Sequence, residues 1–200
     1  RFGKSFEMYF DTRGGPTGGH ISNFLLEKSR VVYQQRGERN YHIFYQLCAG
    51  APSEWRDRYR LREAGAFRYL TLGQTLLREG VSDAQEWQET LQALDAIGVT
   101  AHEQEGLARM LSGILHLGEI AFVDHNDVCT ITNLDQVQWV STLLHFDATS
   151  LTKALTYKRV TVGAEDIDSP LTIEQCQAAR DALAKAIYAA IFDWIVAQVN

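Results

Sequence analysis

The C-terminal stretch from Thr172 to Asn200 constrains this chain more than any other segment. Thr172 and Gln175 stand at the spacing of a capping box, in which each side chain serves the other residue's backbone N–H. Ile173, Cys176, Leu183, Ile187, Ile191, Trp194 and Ile195 then fall mostly three, four or seven residues apart, the period of a helix with one apolar face. The pattern predicts a helix of up to ~28 residues, or ~42 Å at 1.5 Å per residue. A helix of that length is too long to decorate a small domain and is expected to form its spine. The longest uninterrupted apolar run, Ala186 to Phe192, falls short of the ~18–20 residues a membrane span needs. That argues against a bilayer-crossing helix.

The remaining residues read as mostly helical after a β start. Phe6, Met8 and Phe10 alternate with Ser5, Glu7 and Tyr9, which predicts a half-buried strand. Asp11 to Gly19 holds four glycines and reads as a hairpin turn. Ile21 to Val32 reads as the return strand and its extension. Glu38 to Ala49 is expected to be helical and to stop at Gly50 and Pro52. Ser82 with Gln85 and Thr100 with Glu103 predict two capping boxes. Trp87, Leu91 and Leu94 follow the first, and Leu107, Met110, Leu111, Ile114 and Leu115 follow the second, up to Gly118. Ile120–Val123 and Val128–Ile131 flank the polar turn Asp124 to Asp127 and predict a short hairpin. Asn133 is expected to cap a helix carrying Val137, Val140 and Leu144. Tyr157 to Val162 reads as a strand, followed by an acidic loop from Glu165 to Pro170.

Chemistry-bearing motifs are sparse. The Gly14–Gly19 segment lacks the G-x-x-x-x-G-K-[ST] pattern of a phosphate loop and precedes a strand. The six histidines and three cysteines show no metal-ligand spacing. Cys48, Cys129 and Cys176 are far apart and odd in number, and read as reduced thiols. Lys plus Arg is 19 against 25 for Asp plus Glu, a net charge of −6, which disfavours nonspecific nucleic-acid binding. Arg56, Arg58, Arg60 and Arg62 are interleaved with Asp57 and Glu63 and read as a solvated face. The residues alone predict a mostly α domain with an N-terminal β-hairpin, short strands and a long C-terminal helix.

Several segments resemble the myosin motor domain. Arg1-Phe2-Gly3-Lys4-Ser5-Phe6 resembles the end of switch I, N-x-x-S-S-R-F-G-K in the family. Gly18-Gly19-His20-Ile21-Ser22-Asn23-Phe24-Leu25-Leu26-Glu27-Lys28-Ser29-Arg30-Val31-Val32 resembles the strand after it. Gly37-Glu38-Arg39-Asn40-Tyr41-His42-Ile43-Phe44-Tyr45-Gln46-Leu47 is similar to the next helix. Arg180 to Tyr188, with Phe192 to Val196 behind it, resembles the long helix that leads towards switch II. These segments keep the family's order and spacing across the whole chain. The first strand motif and Ser169-Pro170-Leu171 look most like class I unconventional myosins.

The resemblance implies part of a P-loop NTPase-type motor that couples ATP hydrolysis to movement along, or tension on, actin filaments. Residues 1–35 would be the end of switch I and transducer strands. Residues 36–156 would be upper 50-kilodalton helices with a small hairpin near 120–131. Residues 157–171 would be the actin-facing cardiomyopathy loop, and 172–200 the long helix. The phosphate loop would precede Arg1 and switch II would follow Asn200, so the segment alone is expected to be inactive. ATP and Mg2+ are the implied cofactors of the intact motor; most of their ligands would lie outside this chain, and no metal site within it. Arg1 would form a salt bridge to a switch II glutamate, with Phe2, Gly3 and Lys4 at the nucleotide-site edge and Gly3 permitting a sharp turn. Lys158, Arg159, Glu165 and Asp166 would face actin. Glu165 lies sixteen residues before Asp181, where the family carries an acidic or phosphorylatable residue. The implied partners are actin filaments and calmodulin-like light chains on a neck elsewhere, with no nucleic acid and no direct membrane contact by this segment. The implied location is cytoplasmic, on the actin cytoskeleton. The alternative is a catalytically inert helical interaction domain with a motor-like fold.

Overall fold

The structure is a computed structural model describing residues 3–125, 128–162 and 165–200. Strands β1 (Gly3–Phe10) and β2 (Pro16–Phe24) form an antiparallel hairpin. Helices α1 (His42–Gly50), α2 (Ser53–Arg58), α3 (Arg68–Thr71), α4 (Asp83–Ala96) and α5 (Ala101–Gly118) follow. A second hairpin, β3 (Phe122–His125) and β4 (Val128–Ile131), leads into α6 (Leu134–Leu144) and α7 (Ala148–Thr156). A third, β5 (Tyr157–Val162) and β6 (Glu165–Pro170), leads into α8 (Ile173–Val199). The fold is therefore the mostly α architecture with short antiparallel strand pairs that the sequence predicts.

The two complete capping boxes lie where expected, at Thr100–Glu103 and Thr172–Gln175. At α4 only half the device forms. Ser82 accepts from the Gln85 backbone, while the Gln85 amide turns to Glu89. Asn133 precedes α6 without capping it, because its side chain is engaged behind: Nδ2 donates to the Glu119 carbonyl at 2.9 Å and Oδ1 accepts from Ala121 N at 3.0 Å. Helix α7 has no counterpart in the sequence expectation. Asp147 caps it through Ser150 N at 2.8 Å.

The β regions differ more. The return strand starts at Pro16 and ends at Phe24, because the turn closes early: Asp11 Oδ1 accepts from both Arg13 N and Gly15 N at 2.8 Å. Past it, Lys28–Val31 is a 3-10 turn rather than extended strand. β1 is exposed along its whole length, so the alternation of Phe6, Met8 and Phe10 does not bury one face. The acidic segment 165–170 is a paired strand, not a loop. Part of the expected polar turn, Asn126 and Asp127, lies outside the described residues.

The core is helical. The second half of α5 is buried continuously from Leu111 to Gly118. Two close approaches permit this: a Cβ at Gly113 would sit 2.4 Å from the Leu144 side chain, and one at Gly118 2.8 Å from the Tyr69 ring. Along α8 the buried residues are Cys176, Arg180, Ala184, Tyr188, Ala189 and Ile191; Cys176 and Ile191 stand as expected, while Leu183, Ile187, Trp194 and Ile195 pack against the core only partly buried. An 18-residue window of α8 reaches a mean hydropathy of 1.5, so by length and composition alone it is also apolar enough to span, as a core helix can be. Its Arg180, however, is packed in the protein core, 2% exposed.

Buried polar groups join the elements. Arg30 donates to both Glu27 oxygens at 2.8 and 3.1 Å, to Glu38 at 3.1 Å and to the Arg39 carbonyl at 3.0 Å. Asn40 donates to the Val31 and Tyr69 carbonyls at 2.8 and 2.9 Å. These are residues of the two segments that carry the family resemblance, and here they hold the 3-10 turn, α1 and α3 together. The arginines from 56 to 62 are not a merely solvated face. Arg56 donates to the Cys48 carbonyl, Arg58 pairs with Glu54 and Glu105, Arg60 lies 4.0 Å over the Trp139 ring, and Arg62 pairs with Glu119 at 3.0 Å.

His116, 4% exposed, has Nε2 3.2 Å from the Tyr59 carbonyl and Nδ1 2.9 Å from the Gln136 amide nitrogen. The amide donates to Nδ1, so the neutral ring carries its proton on Nε2 and gives it to Tyr59. Burial lowers its pKa from 6.5 to about 4. The unfolded chain takes up this proton below about pH 6.5, whereas the folded chain resists until about pH 4. Stability therefore declines as pH falls through this window, by ~3 kcal/mol in total. His116→Gln is expected to remove that share of the slope, read as urea-unfolding free energy at pH 7, 6, 5 and 4. Identical slopes in parent and variant would refute the assignment.

Candidate functional site

Helix α8 fastens a different piece of structure at each end. At its N-terminus Leu171 N donates to the Thr156 carbonyl at 2.9 Å, closing the root of the β5–β6 hairpin. Thr172 Oγ1 then accepts from Gln175 N, and Thr172 N donates to Gln175 Oε1 at 3.1 Å. At its C-terminus the Asn200 amide brackets Ile21 of β2: Oδ1 accepts from Ile21 N at 2.7 Å and Nδ2 donates to its carbonyl at 2.8 Å. Ile21 stands opposite Phe6, and its peptide groups are turned away from β1 to meet the amide. The 27-residue helix separates these attachments by about 40 Å.

The β5–β6 hairpin is a charged ribbon. Lys158 pairs with Ser169, Arg159 with Asp168, Thr161 with Asp166 and Val162 with Glu165 in register. Directly opposed side chains on an antiparallel pair lie ~4.5–5.5 Å apart at Cβ, so the register brings Arg159 against Asp168. Lys153 of α7 ion-pairs with the same Asp168. Thr161 Oγ1 donates to Asp166 Oδ1 at 2.8 Å across the ribbon. The base strand is thus cationic and the return strand anionic. Lys158, Arg159, Asp166 and Asp168 are all exposed. The family resemblance singled out Lys158, Arg159 and Asp166, but neither Asp168 nor Lys153, whose helix the sequence reading missed.

At the other end, Gly3 and Lys4 open β1, opposite Phe24 and Asn23. Gly3 lies within a paired strand, which corrects the expected sharp turn. Arg1 and Phe2 lie outside the described residues. The structure therefore brings Lys158, Arg159, Glu165 and Asp166 together on one ribbon and Gly3 with Lys4 on another, with α8 between them.

Between the two ends sits Arg180. Its Nη1 donates to the Ile120 carbonyl at 3.0 Å, and Nε and Nη2 meet Asp181 Oδ1 at 2.9 and 2.8 Å. Tyr69 OH donates to the same oxygen at 2.6 Å. Burial and the neighbouring Asp181 raise the Tyr69 pKa far above its ordinary value, against the opposing pull of Arg180. The phenol therefore stays protonated and remains a donor. Arg180→Met would leave Asp181 and the Ile120 carbonyl without their cation. Removing one member of a buried pair costs ~3–5 kcal/mol, and the lower figure applies because Asp181 is 26% exposed. Chemical denaturation of the variant checks this. A loss under ~1 kcal/mol, the scale of a surface pair, would show that the pair does not hold α8.

The family described as "Myosin head (motor domain)" matches residues 1–200. The chain is 41% identical over 202 residues to unconventional myosin-Ic-A of Xenopus laevis, covering 100% of this chain and 20% of that protein. It is 40% identical over 202 residues to unconventional myosin-Ih of Homo sapiens, again 100% and 20%. It is 39% identical over 209 residues to the myosin IB heavy chain of Dictyostelium discoideum, covering 100% of this chain and 19% of that protein. The chain thus spans about a fifth of the length of these curated relatives.

Proposed function

Because the chain belongs to the myosin motor-domain family and is most like class I myosins, we propose that it is a piece of an actin-based motor that couples ATP hydrolysis to movement along, or tension on, actin filaments. The observation that carries this reading is the match of all 200 residues to the myosin head. ATP and Mg2+ are the proposed cofactors. Actin filaments, and calmodulin-like light chains on a neck outside these residues, are the proposed partners. The proposed location is the cytoplasmic actin cytoskeleton, with neither nucleic acid nor membrane touched by this segment.

In phosphoryl transfer the protein mainly positions groups and stabilises charge. Arg1 would serve the closed state by pairing with a switch II glutamate, its guanidinium matching a carboxylate in fork geometry. Phe2, Gly3 and Lys4 would continue that edge into β1. The β5–β6 ribbon would meet actin, with Lys158 and Arg159 on one strand and Glu165 and Asp166 on the other. The α8 helix, fixed to both ends, suits the transmission of strain between them. These residues supply one edge of a nucleotide site, so the isolated chain is proposed to be inactive.

Two experiments bear on this in a motor domain carrying the chain. Arg1→Ala is expected to bind nucleotide but to slow hydrolysis strongly, since removing one member of a partly buried pair costs ~3–5 kcal/mol, a hundredfold or more. Transient kinetics reads it, with the isolated chain as a zero-turnover control. An unchanged hydrolysis step, or magnesium-dependent turnover by the control, counts against the respective assignment.

Glu165 places a fixed negative charge where the family resemblance implies an acidic or phosphorylatable residue. A phosphoserine brings about −1.5 to −2 charges, so one glutamate mimics it in part and Asp166 adds to it. Glu165→Ala with Asp166→Ala is expected to weaken actin activation several-fold at low salt and less at high salt, because exposed charges act within a Debye length. Basal ATPase should hold. Actin titrations at two ionic strengths that superimpose for parent and double variant would remove the ribbon's acidic strand from the actin contact.

A further inference from the structure

Four helices leave between them an apolar pocket of about 180 Å3, open to solvent on one side. Ile43 of α1, Trp87 and Leu94 of α4, Leu107 of α5, and Tyr188 and Ile191 of α8 contribute its walls. Two polar side chains also reach it, Thr90 and Gln104. Both spend a polar atom elsewhere: Thr90 Oγ1 donates to Gln46 Oε1 at 2.9 Å, and Gln104 Nε2 donates to the Val99 carbonyl at 3.0 Å. The interior is therefore almost wholly carbon.

The space persists because its largest walls are held from behind. A Cβ at Gly50 would lie 2.5 Å from Trp87 Cβ, so α4 is seated directly on the α1 backbone there. The Trp87 ring meets Trp55 edge-on at 6.5 Å. Tyr188 stacks on Tyr41 at 4.6 Å and leans on Phe44 at 5.5 Å. Neither ring can swing inward without giving up these contacts.

We propose that this cavity is a binding site for a small apolar aromatic molecule, a single six-membered ring with one or two halogen or methyl substituents. Size supports this. An apolar cavity of ~150 Å3 takes up benzene in another protein. At the ~0.5–0.6 packing density of an organic liquid, roughly 90–110 Å3 of ligand would fit. Chemistry supports it as well: flat aromatic walls favour a ring, and the lining is almost entirely carbon. The site lies on α8 between its two attachments, so an occupant would brace that helix against α1, α4 and α5. This assignment stands independently of the motor reading.

The test uses a motor domain carrying this chain, with bromobenzene and phenol as probes. Calorimetric titration with bromobenzene is expected to show one saturable site, and bromine anomalous diffraction to place it among Trp87, Leu107 and Tyr188. Phenol is expected to bind at least tenfold more weakly. Leu94→Phe on α4, and on α8 Ile195→Phe at a further wall residue, each fill the space from a different helix and should each weaken bromobenzene tenfold or more. Thermal midpoints of both variants are recorded to confirm that they fold. No saturable binding to the parent, bromine located elsewhere, phenol binding as well as bromobenzene, or undiminished binding by folded filled variants would each overturn the proposal.

Discussion

Arg180 is the interaction on which the arrangement of the long helix depends. It follows Cys176 in the buried stripe, in the N-terminal third of α8, and is 2% exposed. Burying a guanidinium is costly unless its donors are used and its charge is met. Here Asp181 meets the charge, the Ile120 carbonyl takes a donor, and the Phe122 and Tyr69 rings lie 5.8 and 5.7 Å from the guanidinium carbon. Tyr69 then ties the same carboxylate to α3. One cation thus determines how α8 stands against β3 and α3. The geometry is directional, which apolar contacts alone are not. A helix with small residues such as Ala184 at its contact face needs such a marker of register.

Arg30 does for the N-terminal part what Arg180 does for the C-terminal part. Its donors join Glu27, Glu38 and the Arg39 backbone. The two family motifs that made the chain recognisable are therefore held to one another in space. They act there as scaffold, and that role could not be read from charge and period. Ion-pairing arginines and a solvated charged run look alike in sequence. The Arg56–Arg62 series shows the same limit: its partners Glu105, Glu119 and Trp139 are distant in the chain.

What was legible follows from local physics. The Thr100 and Thr172 capping boxes need only residues three apart, and both formed. The β3–β4 hairpin and β5 were visible from their apolar runs and turns. Helix α7 was missed although Asp147 and Ser150 stand at capping distance, a signal weaker than a reciprocal pair. The face of α8 was legible in part: Cys176 and Ile191 are buried and Leu183 and Ile187 pack on the core's margin, but apolar residues outnumber buried places on it, and tertiary contacts bury Tyr188 and Arg180 more completely. The candidate site was legible only through motif resemblance. Nothing in composition marks Glu165 or Lys158. The pairing of the acidic segment with β5, and the clamp of Asn200 on Ile21, are long-range or register effects that no local pattern displays.

The stable and the pliant parts of the domain are distributed to match that geometry. A two-stranded ribbon is marginal by itself, and β1–β2 and β5–β6 both present exposed side chains along most of their length. Neither can be rigid through its own packing. Each is instead tied by a few polar contacts: the Asn200 amide on Ile21 at one end of α8, and at the other Leu171 N on the Thr156 carbonyl with the Lys153–Asp168 ion pair. A helix transmits displacement along its axis because its backbone bonds run that way, whereas a ribbon bends easily. Motion at one ribbon reaches the other most directly through α8, and α8 can shift only as far as the Arg180 contacts allow. The element that fixes the helix thereby also sets how strongly the two ends can sense each other.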